Sequence, residues 1–243
     1  MRVLVACEES QAVCKEFRRL DHEAYSCDIQ SCTGGAPQWH IMGDVLALIN
    51  GYCSFKTCDG VEHFINGRWD MLIAFPPCTH LAVSGAKWFE EKRKDGRQRA
   101  AVDFFCKMIY ANCERIAVEN PVNIISGEYV REWFPDLAEK YYLPLEPSQH
   151  IQPYYFGDAF EKTTALWLNG LPKLKATKMV TPPPRIVYES GKSMPAWYAK
   201  AFSLPPDERS CIRSKTFPGV ARAMAEQWGG KNRKPAYVQR ALF

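Results

Sequence analysis

The chain has 243 residues, 47% of them hydrophobic and 24% charged, and its formal net charge is +4. This length allows one large domain with a sizeable core, or one domain with a small lobe, and the composition is that of an ordinary globular protein. No apolar stretch approaches the roughly 20 residues that cross a bilayer, so we expect no membrane partner. The mildly basic charge permits a nucleic-acid partner without demanding one.

The ten cysteines follow no regular framework. Because the N-terminal residues lead directly into an apolar strand, the sequence predicts no secretory signal, a reducing cytoplasmic location and thiols rather than disulfides. Cys27 and Cys32, like Cys53 and Cys58, have four residues between them, at the long edge of zinc-site spacing. Cys27 closes a predicted strand and is poorly placed to turn towards a metal, so we expect no metal site.

Hydrophobic periodicity predicts the first strand and the first helix. The run Arg2–Ala6 is short, apolar and rich in β-branched residues, which is typical of a buried strand. Apolar residues at helical spacing predict a helix over Gln11–Leu20, with Ser10 as its N-cap. The turn between them lacks the Gly-x-Gly-x-x-Gly pattern of a pyrophosphate cradle, which argues against NAD and FAD.

Two acidic residues follow the next predicted strands. The strand Glu23–Cys27 ends at Asp28, and an acid at the tip of strand two commonly binds a ribose in doubly wound folds. Asp28 can equally cap a turn. Asp44 follows a short strand and a glycine, ahead of the helical stretch Val45–Ile49, where it can contact a cofactor base or act as an N-cap.

A buried strand at the centre of the chain leads to a cysteine. The polar stretch Asn50–Gly67 indicates an excursion from the core such as a hairpin. The apolar strand Trp69–Phe75 then stops at Pro76 and Pro77, because proline cannot donate to a sheet ladder. Cys78 therefore lies on a stiff loop at the carboxyl end of a strand, where open α/β sheets bind ligands. Its thiol is either a nucleophile or one more packed cysteine.

A basic segment follows the cysteine. Lys87–Arg99 contains six lysines and arginines, a pattern that is typical of a solvated helix face. With Trp88 and Phe89 interleaved, the segment is also suited to meet phosphates as a mobile loop that closes over a nucleotide. The spacing of apolar residues predicts a helix over Arg99–Ala111.

The next buried strand, Ile116–Val118, ends in Glu119, Asn120 and Pro121. Because the carboxyl ends of parallel strands meet at one edge of a sheet, we expect Cys78 and Glu119 in a common cleft. A carboxylate disfavours a thiolate nearby, so a cysteine hydrolase is not expected. The pair instead suits a thiolate that attacks one atom of a ring while the acid addresses another.

The remaining chain is less regular. Its predicted elements are an extended stretch at Gln149–Phe156, a strand at Ala165–Leu168, an irregular connection at Pro172–Pro195 and a helix at Val220–Trp228, whereas Tyr129–Tyr142 has no assignable pattern. We divide the chain into an α/β catalytic and cofactor-binding domain (1–170), a small irregular segment (171–212), a C-terminal helix that returns to the catalytic domain (213–228) and a basic tail (229–243).

Cytosine is a ring that suits this pair, because its carbon 5 is too electron-poor to take a methyl group directly. Thiolate addition at carbon 6, with an acid bonded to ring nitrogen 3, makes carbon 5 an enamine-like nucleophile. The motifs Phe75-Pro-Pro-Cys78 and Glu119-Asn-Pro121 resemble, in this order, the strand–Pro–Cys loop and the Glu-Asn-Val element of DNA cytosine-5 methyltransferases that depend on S-adenosylmethionine. The resemblance covers residues 1 to about 125 and about 216 to 228.

The resemblance implies a Rossmann-like class I methyltransferase sheet with helices on both faces, a small irregular lobe, and DNA as the partner. It implies that Cys78 is the nucleophile and that Glu119 holds nitrogen 3. The residues it implies for S-adenosylmethionine are Ala6, Cys7, Glu9, Asp28, Ile29, Asp44, Val45, Pro76, Pro77 and Gly219. Those it implies for the base and the DNA are Ser84, Lys87, Asn120, Pro121 and Lys162.

The chain departs from the family pattern in three places. The first turn is Ala6-Cys-Glu-Glu-Ser10 instead of a glycine-rich loop, so Glu8 or Glu9 replaces a cofactor contact. The family's Gln-Arg-x-Arg element is not intact, and Lys162 in Phe160–Thr164 stands where an arginine is expected. The segment available for target recognition is only about 50 residues, which suits short or loose sequence selectivity, or selectivity supplied by a partner.

Three other functions remain open at this point. An amino-group methyltransferase would have a polar residue and an aromatic ring around the two prolines, where this chain has Phe75 and Cys78. The small recognition segment is compatible with methylation of RNA or of a free nucleotide. A catalytically inactive DNA-binding relative would keep the fold without needing Cys78 and Glu119.

Overall fold

The structure is a computed structural model that describes residues 1–205, 208, 212, 214 and 216–230. Its strands are β1 Arg2–Ala6, β2 Glu23–Asp28, β3 His40–Met42, β4 Cys53–Lys56, β5 Glu62–Ile65, β6 Met71–Ala74, β7 Ile116–Asn120, β8 Gln149–Ile151, β9 Thr164–Asn169, β10 Arg185–Val187 and β11 Ser193–Pro195. Its helices are α1 Ala12–Arg19, α2 Phe89–Lys94, α3 Arg97–Ile109, α4 Tyr129–Trp133, α5 Pro135–Lys140, α6 Ala196–Ala201 and α7 Pro218–Met224. Short 3₁₀ turns lie at Pro37–Trp39, Val45–Ala47, Val83–Trp88, Ile124–Ser126 and Pro153–Tyr155, and α7 continues as a π-helical turn, Ala225–Gly229.

Seven strands form one sheet in the order β3-β2-β1-β6-β7-β9-β8. Strands β3, β2, β1, β6 and β7 are parallel, whereas β9 is antiparallel to both of its neighbours. A parallel set closed by one antiparallel strand in this order is the sheet of Rossmann-like class I methyltransferases. The predicted α/β fold class is therefore confirmed.

Both faces of the sheet are buried, which explains why its central strands read as continuous apolar runs. Along β1, Leu4 and Ala6 face one hydrophobic core, which includes Val102 and Phe105 of α3. Val3 and Val5 face the opposite core, which includes residues of α1 and of α7. Helices from distant parts of the chain thus cover the two sides, as a doubly wound sheet requires.

Most of the predicted elements are present. The polar excursion is an antiparallel hairpin of β4 and β5, and the predicted central strand and the predicted strand before Glu119 are β6 and β7. The stretch without an assignable pattern, 129–142, forms two short helices, α4 and α5, with Pro135 at the first turn of the second. Helices this short show less than two turns of periodicity, so no helical stripe was visible in the sequence.

The predicted N-cap of the first helix is wrong. The cap position of α1 is Gln11, which adopts a left-handed conformation with φ of 58° and makes no side-chain cap. Its side chain is turned to the backbone N–H and C=O of Ala36 instead. The buried carboxylate of Glu8 accepts the helix N–H groups of Val13 and Cys14, at 2.6 and 3.2 Å, so this acid takes over the role expected of Ser10.

The later part of the chain contains less regular structure. The stretch predicted to be irregular holds the exposed hairpin of β10 and β11, and α6 follows it. The predicted C-terminal helix is present as α7 and its π-helical turn, whereas residues 231–243 of the predicted basic tail lie outside the described residues. Among the helices that the structure describes, none has the length and apolar character to cross a bilayer. The division into four segments stays a prediction.

The buried cap predicts a pH dependence of stability. Burial raises the pKa of Glu8 from 4.5 to about 8, although the two helix N–H groups oppose the shift. The folded chain then holds a proton that the unfolded chain has lost, so this contribution is complete below pH 4.5 and is lost as the pH rises through 8. We expect the free energy of unfolding to fall by up to about 1.4 kcal/mol per pH unit across this window.

Urea denaturation at several pH values measures this slope. Glu8→Gln removes the titrating group and should flatten the curve, whereas the exposed control Glu146→Gln should keep the wild-type slope. Parallel curves for wild type and Glu8→Gln would show that Glu8 does not titrate in this range.

Candidate functional site

Two neighbouring parallel strands carry Cys78 and Glu119 to the same edge of the sheet. Ala74 of β6 pairs with Val118 of β7, so the residues that follow them, Phe75 and Glu119, lie at the same level. Pro76 and Pro77 then carry the chain out of β6 to Cys78. The register of β6 and β7 therefore brings the two strand ends together.

A buried amide joins the two strand ends. Asn120, which is 1% exposed, donates from Nδ2 to the carbonyl oxygen of Pro76 at 2.8 Å. Its Oδ1 accepts from Nδ2 of Asn123 at 2.9 Å, so both ends of the amide are occupied. The Pro-Pro-Cys loop and the Glu-Asn-Pro loop therefore form one hydrogen-bonded unit.

The chain after Cys78 is also paired with the chain after Pro121. The carbonyl oxygen of Cys78 accepts the N–H groups of Leu81 and Ala82, which folds the segment into a turn. Val83 then donates to the carbonyl oxygen of Val122 at 3.2 Å. These backbone bonds fix the direction of the loop after the thiol, as the Asn120 bond to Pro76 does before it.

The carboxyl group of Glu119 lies in a small cleft beside β9. Its surroundings include Thr164, which hydrogen-bonds to it, and Lys162. Burial raises the pKa of Glu119, whereas Lys162 and the Thr164 hydrogen bond act in the opposite direction. The cavity has a volume of about 20 Å³, close to the room for one water molecule, and Phe75 and Phe217 also line it.

The C-terminal element closes the same cleft. Phe217 precedes α7, and Nζ of Lys162 lies 5.9 Å from the centre of its ring. Gly219 donates its N–H to Asp158 at 2.8 Å, and a Cβ there would lie 2.1 Å from the carbonyl oxygen of Phe156. Only glycine allows α7 to begin this close to the backbone, so Gly219 has a packing reason that is independent of any cofactor.

A second group of residues gathers at the ends of β1, β2 and β3. Burial, followed by the carboxylates of Asp28 and Asp44, raises the pKa of the Cys7 thiol. Cys7, Asp28 and Asp44 are well separated in the sequence but are close enough to interact electrostatically. Ile29 follows Asp28 and is 78% exposed, so it offers an apolar surface beside the two acids. Ala6 and Val45 lie buried at the base of this group.

Both acids also cap turns, as the alternative interpretation predicted. Oδ1 of Asp28 accepts the N–H of Gln30, and Oδ1 of Asp44 accepts the N–H of Leu46, each at 2.9 Å. These bonds orient the carboxylates and use one oxygen of each. In the first turn Glu8 is buried and caps α1, whereas Glu9 is partly exposed.

The basic segment is bound into the fold as a pair of helices. Arg93 stacks over the rings of Tyr129 and Trp133 in α4, at 5.6 and 3.8 Å from their centres. Ion pairs join Lys94 to Glu90, Arg97 to Glu91 and Asp95, and Arg99 to Asp136. This arrangement favours the interpretation as a solvated, ion-paired helix surface over that of a mobile loop.

Ser84 and Lys87 lie on the exposed 3₁₀ turn that follows the Cys78 loop. Nζ of Lys87 lies 4.9 Å from the centre of the Trp88 ring, which is itself half exposed. Ser84 and Lys87 are both exposed to solvent, and their assignment to the nucleotide stays a prediction.

Sequence reasoning missed two features of the site. Lys92 is buried against the loop and donates from Nζ to the carbonyl oxygen of Thr79 at 2.6 Å. Nδ1 of His80 is buried and has no hydrogen-bond partner among the described residues. Lys92 belongs to a run of charged residues that looks solvated in the sequence, so the pattern does not indicate that one of its lysines faces inward. Among the described residues, no cluster of His, Cys, Asp and Glu has the geometry to hold a metal ion.

The amide that joins the strand ends should be a stability determinant. Asn120→Ala leaves the carbonyl oxygen of Pro76 and Nδ2 of Asn123 buried without their partner. We expect a loss of about 1 to 3 kcal/mol in the free energy of unfolding. Chemical denaturation measures it, with the exposed Asn169→Ala as control. Equal stability of the two variants would mean that the loops are held together by other contacts.

Comparison with known proteins leaves the family of this chain open. No protein-family model matches it, and no curated protein matches it in sequence. Among solved structures, it is similar to an E. coli protein described as a DNA modification methyltransferase encoded within a prophage, with 15% identity, a TM-score of 0.48, and coverage of 85% of this chain and 56% of that one. It is also similar to the Entamoeba histolytica methyltransferase EhMeth, with 11% identity, a TM-score of 0.40, and coverage of 74% and 57%. The chain thus spans little more than half of either protein, and at these TM-scores its fold assignment rests on the sheet order itself.

Proposed function

We propose that this protein transfers a methyl group from S-adenosylmethionine to carbon 5 of cytosine in DNA. The observation that carries the proposal is the buried Asn120 amide, which holds the Cys78 loop and the Glu119 strand end as one unit. A thiol and a carboxyl group on adjacent strand ends can reach different atoms of one flat ring. The proposal assigns the thiol to carbon 6 and the carboxyl group to nitrogen 3.

The environment of Glu119 supports the role of a proton donor. Because burial raises its pKa, the carboxyl group keeps a proton at higher pH than an exposed glutamic acid does. A protonated carboxyl group can donate to ring nitrogen 3, which takes up electron density as the thiolate adds to carbon 6. Lys162 lies beside this carboxyl group and helps to hold the carboxylate after the proton has moved.

The bonding changes balance on the cytosine ring. A lone pair of the Cys78 thiolate forms the sulfur–carbon 6 bond, and the electrons of the carbon 5–carbon 6 double bond become available at carbon 5. S-adenosylmethionine, when bound, supplies an electrophilic methyl group to that carbon. Transfer would break the donor's sulfonium–methyl bond and release a neutral thioether. Loss of the carbon 5 proton to solvent, cleavage of the sulfur–carbon 6 bond and return of the nitrogen 3 proton to Glu119 then restore the ring, the thiolate and the carboxyl group.

The group of residues at the ends of β1, β2 and β3 fits the methyl donor. The two carboxylates, Asp28 and Asp44, have the chemistry to bind a ribose and an adenine amine, and the exposed Ile29 offers an apolar surface for a flat base. Pro76 and Pro77 lie between this group and Cys78, so we assign them to the methyl end. We assign Glu9 to the amino-acid portion of the donor, because Glu8 is used by α1.

DNA binding in this proposal depends on few cations of the basic segment. Most of its arginines and lysines are already stacked or ion-paired within the fold. Lys87 is exposed next to the thiol loop, and with Ser84 it is the contact that we assign to the nucleotide.

A duplex would have to release its base, at a cost of a few kcal/mol that single-stranded or mismatched DNA avoids. Comparing DNA, RNA and free dCMP as acceptors separates the substrate classes.

Expression in a host that lacks cytosine methylation tests the reaction. We expect 5-methyldeoxycytidine in the host DNA, measured by mass spectrometry, and none with Cys78→Ala. Cys53→Ala, in the hairpin of β4 and β5, is the matched control and should retain activity. Glu119→Gln should lower the rate by about 10² to 10⁴-fold, because it cannot supply the proton. Methylation that survives Cys78→Ala would refute the covalent mechanism.

Calorimetric titration with S-adenosylmethionine tests the donor site separately from catalysis. Asp28→Asn and Asp44→Asn should each weaken binding by about tenfold, since each removes a charged hydrogen-bond acceptor worth roughly 1.5 kcal/mol. Asp59→Asn, an exposed acid in the hairpin turn, is the control and should bind as the wild type does. Unchanged affinity in both Asp28→Asn and Asp44→Asn would place the donor elsewhere.

A further inference from the structure

One lysine of the basic segment is buried while its neighbours are exposed. Lys92 is 8% exposed, and the flanking Glu91 and Lys94 are on the surface. Lysine is seldom buried unless its charge is used, because the ammonium group loses its hydration. The contacts of its ammonium group therefore indicate what the buried charge is used for.

The ammonium group of Lys92 lies inside the turn that Cys78 begins. It donates to the carbonyl oxygen of Thr79, the residue after the thiol, at 2.6 Å. A Cβ on Gly85 would lie 3.5 Å from the same nitrogen, so the far side of the loop also packs against it. The cation is thus enclosed by the segment from Cys78 to Gly85.

Lys92 is an electrostatic neighbour of Cys78. Burial and then Arg97 lower the pKa of Lys92, whereas Glu91, Cys78 and Asp95 raise it. Glu91 and Asp95 both form ion pairs with Arg97, which partly satisfies their charge. The interaction is reciprocal, since a cation that is favoured by a nearby thiolate favours that thiolate in turn.

The other basic side chain of the loop does not supply this charge. His80 follows Thr79, but burial, Lys92 and Arg97 lower its pKa, which keeps its ring neutral over a wider pH range. Gln98 holds the backbone of His80 by donating to its carbonyl oxygen at 3.2 Å. A neutral side chain therefore already anchors one carbonyl group of this loop, and an anchor alone does not require a buried cation.

We propose that Lys92 is a positioning residue for the thiol: its ammonium group fixes the backbone after Cys78 and stabilises the Cys78 thiolate. This inference rests on the proposed function, in which Cys78 is the nucleophile. The cation places a positive charge beside the thiol, which favours the thiolate that addition to carbon 6 requires.

Alkylation of Cys78 by iodoacetamide, followed over a range of pH and resolved by peptide mass spectrometry, measures thiolate formation directly. Lys92→Gln keeps a donor for the Thr79 carbonyl oxygen and removes the charge, whereas Lys92→Arg keeps the charge. We expect Lys92→Gln to shift the midpoint of alkylation to higher pH and to slow the reaction about tenfold below it, and Lys92→Arg to recover most of the loss. Lys94→Met, which removes an exposed, ion-paired cation of the same helix, should leave the profile unchanged.

An unchanged alkylation profile in Lys92→Gln, with cooperative unfolding intact, would overturn the proposal. Equal slowing in Lys92→Gln and Lys92→Arg would also overturn it, because the effect would then follow the shape of the side chain and not its charge. If Lys92→Gln does not fold, Lys92→Arg decides: a wild-type profile supports the role of the charge, and a loss of Cys78 reactivity in folded Lys92→Arg refutes it. The readout requires no methyl transfer, so absence of methylation in the host would refute the proposed function and leave this measurement valid.

Discussion

The hydrogen bond from Asn120 to the carbonyl oxygen of Pro76 is the constraint on which the site depends. Two prolines end β6 and remove two backbone donors, so the chain that carries Cys78 has no ladder of its own to follow. The adjacent strand supplies the missing connection through a side-chain amide at its last position. Asn123 then holds that amide from its other end. Without this connection, the stretch before the thiol would lose its link to β7, and the pairing of Val83 with Val122 would have to hold the two loops together.

Two titratable side chains of the site have surroundings that favour different protonation forms. Glu119 reaches the cleft from the sheet, and burial favours its protonated form. Lys92 reaches the loop from α2 and is held between Thr79 and Gly85. Each would be costly to bury alone, since an ion without compensation in a low-dielectric site is destabilising. In the proposed reaction, Glu119 would be the proton donor and Lys92 would favour the anionic sulfur.

The central strands of the sheet could be predicted from the sequence because they are buried on both faces and therefore consist of continuous apolar residues. The neighbouring strand ends that carry Cys78 and Glu119 could be expected because parallel strands share an edge, and the pairing of β6 with β7 agrees, whereas the partnership of the two side chains stays a prediction. Lys92 could not be predicted, since a lysine in a charged stretch looks solvated until the fold shows which side of α2 faces inward. The predicted N-cap of α1 was wrong for a similar reason. Glu8 reaches the helix N–H groups through a left-handed turn at Cys7 and Gln11, which local propensity does not indicate.

The order of the strands places the two groups of residues on either side of one crevice. From β1 the chain winds outward to β2 and β3, and then returns to build β6 and β7 on the opposite side of β1. In open α/β sheets ligands bind where the winding reverses, at the carboxyl ends of the strands. Here that point lies between β1 and β6, with the two acids on one side and the thiol and Glu119 on the other. A donor seated over β1 and a base held over β6 and β7 would meet at the two prolines, which stand at the boundary. In the proposed reaction, the stiffness of Pro76 and Pro77 would serve both halves, because a boundary that moved would alter the distance across which a methyl group has to pass.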